Sequence, residues 1–377
     1  MPLMTTLTQE ATALKVVISR QELVQLIGKL QSIVSAKPSV PILANILLEA
    51  YDDQLVISAT DLTVSMRAFM EAKVLKEGSI TLPARRFFQL IRELTTSQIE
   101  IQCSTEEVAT IHAGTSHFRL HGMHKSEFPD LPDFSSASHF SVPSLSLKEM
   151  LTKTAFAAAR EDSRQVLNGV LMQTDDMKAT FIGTDGKKLA KVYTEIDLCM
   201  DKASYLIPIK AVEEMVKALD GDEMVKMSLH ADKIALDVGP VCVMTKLLPG
   251  QYPNVDRVIP KDSAFVLNLH REELISLLKQ VSLFTTDKNQ SVHFIFTSGE
   301  LHLIGTSSEI GEGKVNMPVD YAGEKLEIAL NPNFFVDILR HSTDESVKFA
   351  ITDSFNPGMI TDSSTASFVI MPMRLGL

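Results

Sequence analysis

Val16–Leu30 reads VVISRQELVQLIGKL, and the chain restates it twice, as VPSLSLKEMLTKTAF from Val142 and as VLNLHREELISLLKQ from Val266. An acidic residue precedes an apolar one in each copy, at Glu22-Leu23, Glu149-Met150 and Glu273-Leu274. Apolar residues then recur at helical spacing, Leu23, Leu26, Ile27 and Leu30 in the first copy and Leu274, Leu277, Leu278 and Val281 in the third. That period predicts amphipathic helices. Ser19 with Glu22 and Ser146 with Glu149 form capping boxes, each side chain satisfying a free amide of the first turn. His270 stands in the serine's place in the third copy, so that start signal is missing there.

A second helix follows in each unit, in LPARRFFQLIREL from Leu82, IPIKAVEEMVKAL from Ile207 and LNPNFFVDILRHS from Leu330. Proline stands at or just before its first turn, where a missing N–H costs little. Between the helices lie alternating apolar runs split at Asp52-Asp53, Asp175-Asp176 and Ser298-Gly299, the pattern of hairpins. Thr60-Asp61, Thr184-Asp185 and Thr306-Ser307 recur in the same places, and Phe128-Pro129 of EFPDLP answers Tyr252-Pro253 of QYPNVD. Several landmarks in one order at nearly one interval make an internal repeat. The expected organisation is an N-terminal extension over residues 1–13 and three α+β domains of one design, at 14–138, 139–262 and 263–377.

A chain of 377 residues suits two or three domains. Its 36 Lys and Arg against 47 Asp and Glu leave a net charge of −11, which argues against a protein that grips nucleic acid over its whole surface and leaves room for a local basic patch. Cys103, Cys199 and Cys242 are odd in number and far apart, so neither a disulfide framework nor a CxxC knuckle is expected, and a reducing cytosol fits. MPLMTTLTQEATA has no basic start or sustained apolar run, so no secretory signal is expected, nor any membrane span later.

Catalytic and metal chemistry finds little purchase. His112, His117, His121 and His124 form the densest histidine group, but positions four apart along a strand are about 13 Å apart and cannot share an ion. Gly183-Thr184-Asp185-Gly186-Lys187-Lys188 lacks both the glycine spacing and the hydroxyl of a Walker loop and reads as a hairpin turn with two surface lysines. The pairs Asp175-Asp176, Glu213-Glu214 and Glu272-Glu273 fall at turns or on solvated helix faces, where adjacent residues do not face one another. No cofactor or metal is expected.

Three two-helix, sheet-bearing units ending in VIMPMRL resemble the beta subunit of bacterial DNA polymerase III, the sliding clamp, over residues 14–375. The resemblance is carried by PILANILLEA, LPARRFFQLI, LNGVLM, TDGKKLA, YPNVDRVIP and VIMPMRL. It implies a head-to-tail homodimer closing a six-domain ring, helices inside and sheets outside, around duplex DNA without reading its sequence. It further implies a processivity factor with no reaction of its own, working with a clamp loader and a replicative polymerase in the cytoplasm. The negative net charge then belongs to the exterior and a basic lining to the helices, which carry Arg20, Lys29, Lys148, Lys153, Arg271 and Lys279, and Arg85, Arg86, Arg92, Lys210, Lys217 and Arg340. Lys37, Arg85, Arg86 and Lys210 are the expected DNA-facing residues.

By the same resemblance a pocket for short peptide motifs comprises Arg164, Leu167, Thr184, Gly186, Lys187, Lys188, Leu189, Pro253, Arg257, Val258, Val369, Ile370, Met371, Pro372, Met373, Arg374 and Leu375. Leu167, Leu189, Val258, Ile370, Met371 and Met373 would form an apolar trough with arginines at its rim. Lys187-Lys188 stands where the family usually has His-Arg, and Gly376-Leu377 extends the tail. Phe118 and Leu120 are expected to meet Leu283 and Phe284 of a second subunit. Two other readings stay open from the residues alone: an enzyme with its site between the repeats near residues 112–124, and a monomeric scaffold that binds only proteins.

Overall fold

A computed structural model of the chain describes residues 12–35, 38–134, 136–286 and 290–373. Among them are six α-helices: Arg20–Leu30 (α1), Ala84–Glu93 (α2), Ser144–Ala155 (α3), Ile209–Ala218 (α4), Arg271–Ser282 (α5) and Pro332–His341 (α6). The stripe of α1 is wholly buried at Leu23, Leu26, Ile27 and Leu30, and each such side chain contributes roughly 1.5–3 kcal/mol by leaving water. Ser19 accepts the Glu22 N–H at 3.4 Å. At α5 the start signal is present in another form, because His270 Nδ1 accepts the Glu273 N–H at 3.3 Å. The box expected at Ser146 does not form, since α3 begins at Ser144, directly after the strand Ser138–Pro143, and leaves Ser146 inside the first turn.

Two of the basic residues on the first helices are used inside the fold. Arg20 donates to the carbonyls of Ile91 and Arg92, and Arg271 to that of Ser342, so each closes open acceptors at the end of the following helix. Lys153 is a third: 3% exposed, it meets Glu149 at 2.6 Å, Ser364 at 2.9 Å and Asp362 at 3.8 Å. These three are not free to line a channel.

The recurring Thr-Asp pair is explained by a turn. Thr184 Oγ1 donates to the Lys188 carbonyl and accepts the Gly186 N–H, while Asp185 Oδ1 accepts the N–H groups of Lys187 and Lys188. Thr60 and Asp61 make the same set to Val64, Leu62 and Thr63. The third position is left-handed in both turns and differs in residue: Gly186 has φ 86° and Leu62 has φ 77°.

The chain folds into two compact units, residues 1–144 with 217–246 and residues 145–216 with 247–377. Neighbouring strands are antiparallel. The first unit holds a five-stranded sheet that ends in the strand Ser116–His121, and an eight-stranded sheet; the second holds a six-stranded sheet and a four-stranded one that ends in Gly311–Pro318. In the eight-stranded sheet Val64–Glu71 pairs with Val241–Lys246, joining the first repeat to the second. Lys188–Pro208 pairs with Ser367–Ile370 in the six-stranded sheet and joins the second repeat to the third.

Asp52-Asp53 and Ser298-Gly299 are turns, with φ 48° and 56° at the aspartates and 80° at Gly299. Asp175-Asp176 instead lies within the strand Gly169–Thr184, where the ladder shifts register on either side of Asp176. The first strand begins at Thr12, inside the stretch expected as an extension.

Candidate functional site

Four segments of the second unit converge on a recess of about 160 Å³. The 3₁₀ turn Gln165–Leu167 contributes Arg164 and Leu167. Its loop is fixed from within: Asp162 donates its N–H to Asn168 Oδ1 at 2.8 Å, Asn168 Nδ2 donates to the Asp162 carbonyl, and Ala159 N–H donates to the Leu167 carbonyl. The Thr-Asp turn brings Thr184, Gly186, Lys187, Lys188 and Leu189. The prolyl loop and its 3₁₀ turn Val255–Arg257 bring Pro253, Asn254, Val255 and Val258, and the end of the chain brings Val369 and Met371.

The floor is apolar. Leu167, Leu189, Val255 and Val369 are buried, and the last three pack with Leu171, Ile182 and Leu206 in one core cluster backed by Tyr252. The rim is cationic, with Lys187 exposed on the turn and the exposed Arg164 guanidinium lying against Asp185 and Gly186 of the same turn. Arg164 grips Asp162 through two parallel bonds, Nε to Oδ1 at 3.0 Å and Nη2 to Oδ2 at 2.9 Å. Its side-chain bond, seconded by the Arg164 backbone N–H, holds the Asp162 carboxyl down to about 2. Gly186 is required on two counts: its left-handed backbone, and a Cβ there would stand 3.3 Å from Arg164 Nη2.

Eleven of the residues expected in the pocket line this recess; Arg257, Ile370, Pro372 and Met373 do not. Ile370 is fully buried on the opposite face of its strand, as alternation requires between Val369 and Met371. Met373 is instead tied down by its backbone, its N–H donating to the Ala329 carbonyl at 2.8 Å. Arg374 and Leu375 lie outside the described residues. Lys188, expected at the surface, is 9% exposed: it pairs with Asp185 at 3.0 Å and lies 4.4 Å over the Phe334 ring. Asn254 and Val255 line the recess without having been expected, and alternation along YPNVDRV offered no clue to a 3₁₀ turn. Phe355 is a second unexpected feature, 85% exposed on a loop fixed by Asp353, which accepts the N–H groups of Phe355 and Asn356. The register Gly358↔Ile370 sets that loop beside the departing tail.

Arg85, Arg86 and Lys210 are exposed on the first turns of α2 and α4, and Lys37 lies outside the described residues. Phe118 and Leu120 are half-buried on the edge strand Ser116–His121; Leu283 is 73% exposed and Phe284 half-buried after α5. Two of the four clustered histidines do meet, across a hairpin rather than along a strand: His112 and His117 are register partners with Nδ1 atoms 2.6 Å apart. Among the described residues no three His, Cys, Asp or Glu side chains come together as a metal site, and no helix is long and apolar enough to cross a membrane.

Three copies of a two-helix, antiparallel-sheet domain, joined strand edge to strand edge, define a DNA-clamp fold. Residues 14–132, 141–254 and 256–374 match in order the N-terminal, central and C-terminal domains of the DNA polymerase III beta subunit. The chain belongs to that family. The beta sliding clamp of Chlamydia muridarum is 52% identical over 363 residues, covering 96% of this chain and 99% of that one, and the beta sliding clamp of Escherichia coli K12 is 30% identical over 371 residues, covering 96% and 100%. The crystal structure of a sliding clamp from Pseudomonas aeruginosa bound to griselimycin superposes with a TM-score of 0.91 at 26% identity, over 96% of this chain and 100% of that one. The function is that of a DNA sliding clamp in replication.

Proposed function

We propose that two copies of this chain close head to tail into a ring around duplex DNA, and that the recess at residues 164–371 receives short peptide segments of the polymerase, the clamp loader and other DNA-processing proteins. The ring tethers and catalyses nothing, needs no cofactor and works in the cytoplasm. The domain limits fall at 14–138, 139–262 and 263–377.

The observation that carries this reading is a seam made twice and left open once. Thr60, Thr184 and Thr306 have the register partners Ser65, Leu189 and Glu312. Ser65, Met66 and Arg67 pair with Met244, Val243 and Cys242, and Leu189, Ala190 and Lys191 pair with Val369, Phe368 and Ser367. The third such edge, Glu312, Gly313 and Lys314, ends its sheet. So does the hairpin strand Ser116–His121, whose register from the Ala113↔Ser116 turn matches Val241–Lys246 from Val238↔Val241. A third seam between copies therefore sets Arg119, Phe118 and His117 against Glu312, Gly313 and Lys314 of the partner subunit. The fit is chemically sound. Arg119 meets Glu312 of the partner subunit, a cross-strand pair worth about 0.2–1 kcal/mol. A Cβ at Gly313 would strike Phe284 at 2.3 Å, so the Phe284 ring covers Gly313 and is ready to meet Phe118. Pairing also removes two exposed edges. Heterologous contacts that close give a ring.

Exposed Arg85, Arg86 and Lys210, with Lys37, supply phosphate contacts without base readout, so binding weakens steeply with salt while topology holds the ring on. Solution mass combined with retention on plasmid tests the proposal. A dimer kept on circular DNA and lost after linearisation supports it; a 41.6 kDa monomer with no such difference would refute it.

A further inference from the structure

Acid has a place to act in this seam. His117 lies on the edge strand with its Nδ1 2.6 Å from that of His112, the rings edge to face at 4.7 Å. One imidazole must donate and the other accept, so the pair shares this bond as two neutral rings or with one extra proton; two extra protons set N–H against N–H and break it. Among the described residues the strands on either side of the pair bring these charged groups to it. Glu100, register partner of His112 on the next strand, is committed to Lys15 at 3.1 Å. Arg119 and His121 follow on His117's own strand at the period of one face. Across the proposed seam stand Lys314 of the partner subunit, opposite His117, and Glu312 of the partner subunit, opposite Arg119.

We infer that the subunit seam is a proton-sensitive latch: protonation of the His112–His117 pair places positive charge against Lys314 of the partner subunit and loosens the ring. This rests on the two-copy ring proposed above. Glu100 lies on the subunit's own sheet in both the open and the closed state, so its effect on the pair does not change on closure, and Glu312 of the partner subunit stands opposite Arg119 rather than opposite His117. In the separated subunit His117 is exposed to solvent and has no Lys314 of the partner subunit beside it. The open state thus binds more protons than the closed one, and linkage fixes the sign: the dimer dissociation constant rises as pH falls through the imidazole range, by up to about tenfold per pH unit for each proton taken up.

The test measures the dimer dissociation constant of the full chain by sedimentation between pH 8 and pH 5.5, with circular dichroism at each pH to show that the subunits stay folded. The parent constant should rise by about tenfold or more. His117→Asn, which keeps a polar side chain but takes up no proton, should flatten the profile, and Lys314→Gln should shallow it. Lys314 is exposed on an edge strand, so that variant reports even where a histidine variant folds poorly. A dimer at pH 8 whose constant does not change on acidification overturns the latch and leaves the ring standing. The same rise in both variants as in the parent also overturns it. A monomer already at pH 8 removes the ring and the latch together.

Discussion

Met371 donates its backbone N–H to the carbonyl of Lys187 across 2.9 Å, and this bond holds the end of the chain against the Thr-Asp turn. Together with Met373 N–H on Ala329 it fixes Met371–Met373 in place beside the recess. A recess assembled by so few bonds depends on them.

Removing Met371–Leu377 should therefore abolish binding of clamp-motif peptides while the dimer persists, because the strand Ser367–Ile370 and its pairing to Lys188–Lys191 remain. Phe355→Ala should weaken the same peptides by about 1–2 kcal/mol, the loss of one exposed aromatic anchor. Fluorescence anisotropy with a labelled peptide measures both. Unchanged affinity in the truncated protein would sink the pocket assignment.

Gly186 should not accept a side chain. At φ 86°, an L-residue costs about 1–2 kcal/mol, and the new Cβ would press on Arg164 at 3.3 Å. Gly186→Ala is expected to lower the urea midpoint by that stability and to reduce peptide affinity through a displaced Arg164. Leu62 occupies the corresponding left-handed position in the first repeat, exposed, so Leu62→Gly should relieve strain and leave stability unchanged or slightly raised. Equal losses at both sites would show that backbone strain does not govern the turn.

The helices were legible because their apolar period survives in each copy, and the repeat because the Thr-Asp turn uses the same two side chains in the first two copies, with Ser307 in the aspartate's place in the third. Alternation along the strand Ser367–Ile370 is what turns Ile370 away from the face that Val369 shows to the recess. Lys153 and Lys188 could not have been placed from local sequence, since Asp362 and Phe334, which bury them, lie 209 and 146 positions away. The meeting of His112 with His117 needed a hairpin register, which no spacing along one strand reveals.

Asp162 should titrate abnormally. Its carboxyl is held down to about 2 by Arg164, so its contribution to stability is present above the ordinary carboxylate value of about 3.9 and is lost as pH falls through the lowered one. Carbon-13 NMR of the side-chain carboxyl should give a midpoint near about 2, and Arg164→Gln should return it toward about 3.9. A normal midpoint in the parent would mean that the Arg164 fork is not formed in solution.

Leu283 tests the subunit seam with little risk to the fold. It is 73% exposed beside Phe284, so Leu283→Asp should change the stability of the separate subunit by no more than about 0.5 kcal/mol. In a closed ring the same aspartate would be pressed against Phe118 and Leu120 of the partner subunit, a buried unpaired charge that costs several kcal/mol and is enough to give monomers at micromolar concentration. Sedimentation velocity reads the outcome directly. Should the variant remain dimeric with an unchanged melting temperature, Leu283 lies outside the interface and the register deduced from the two internal seams is wrong.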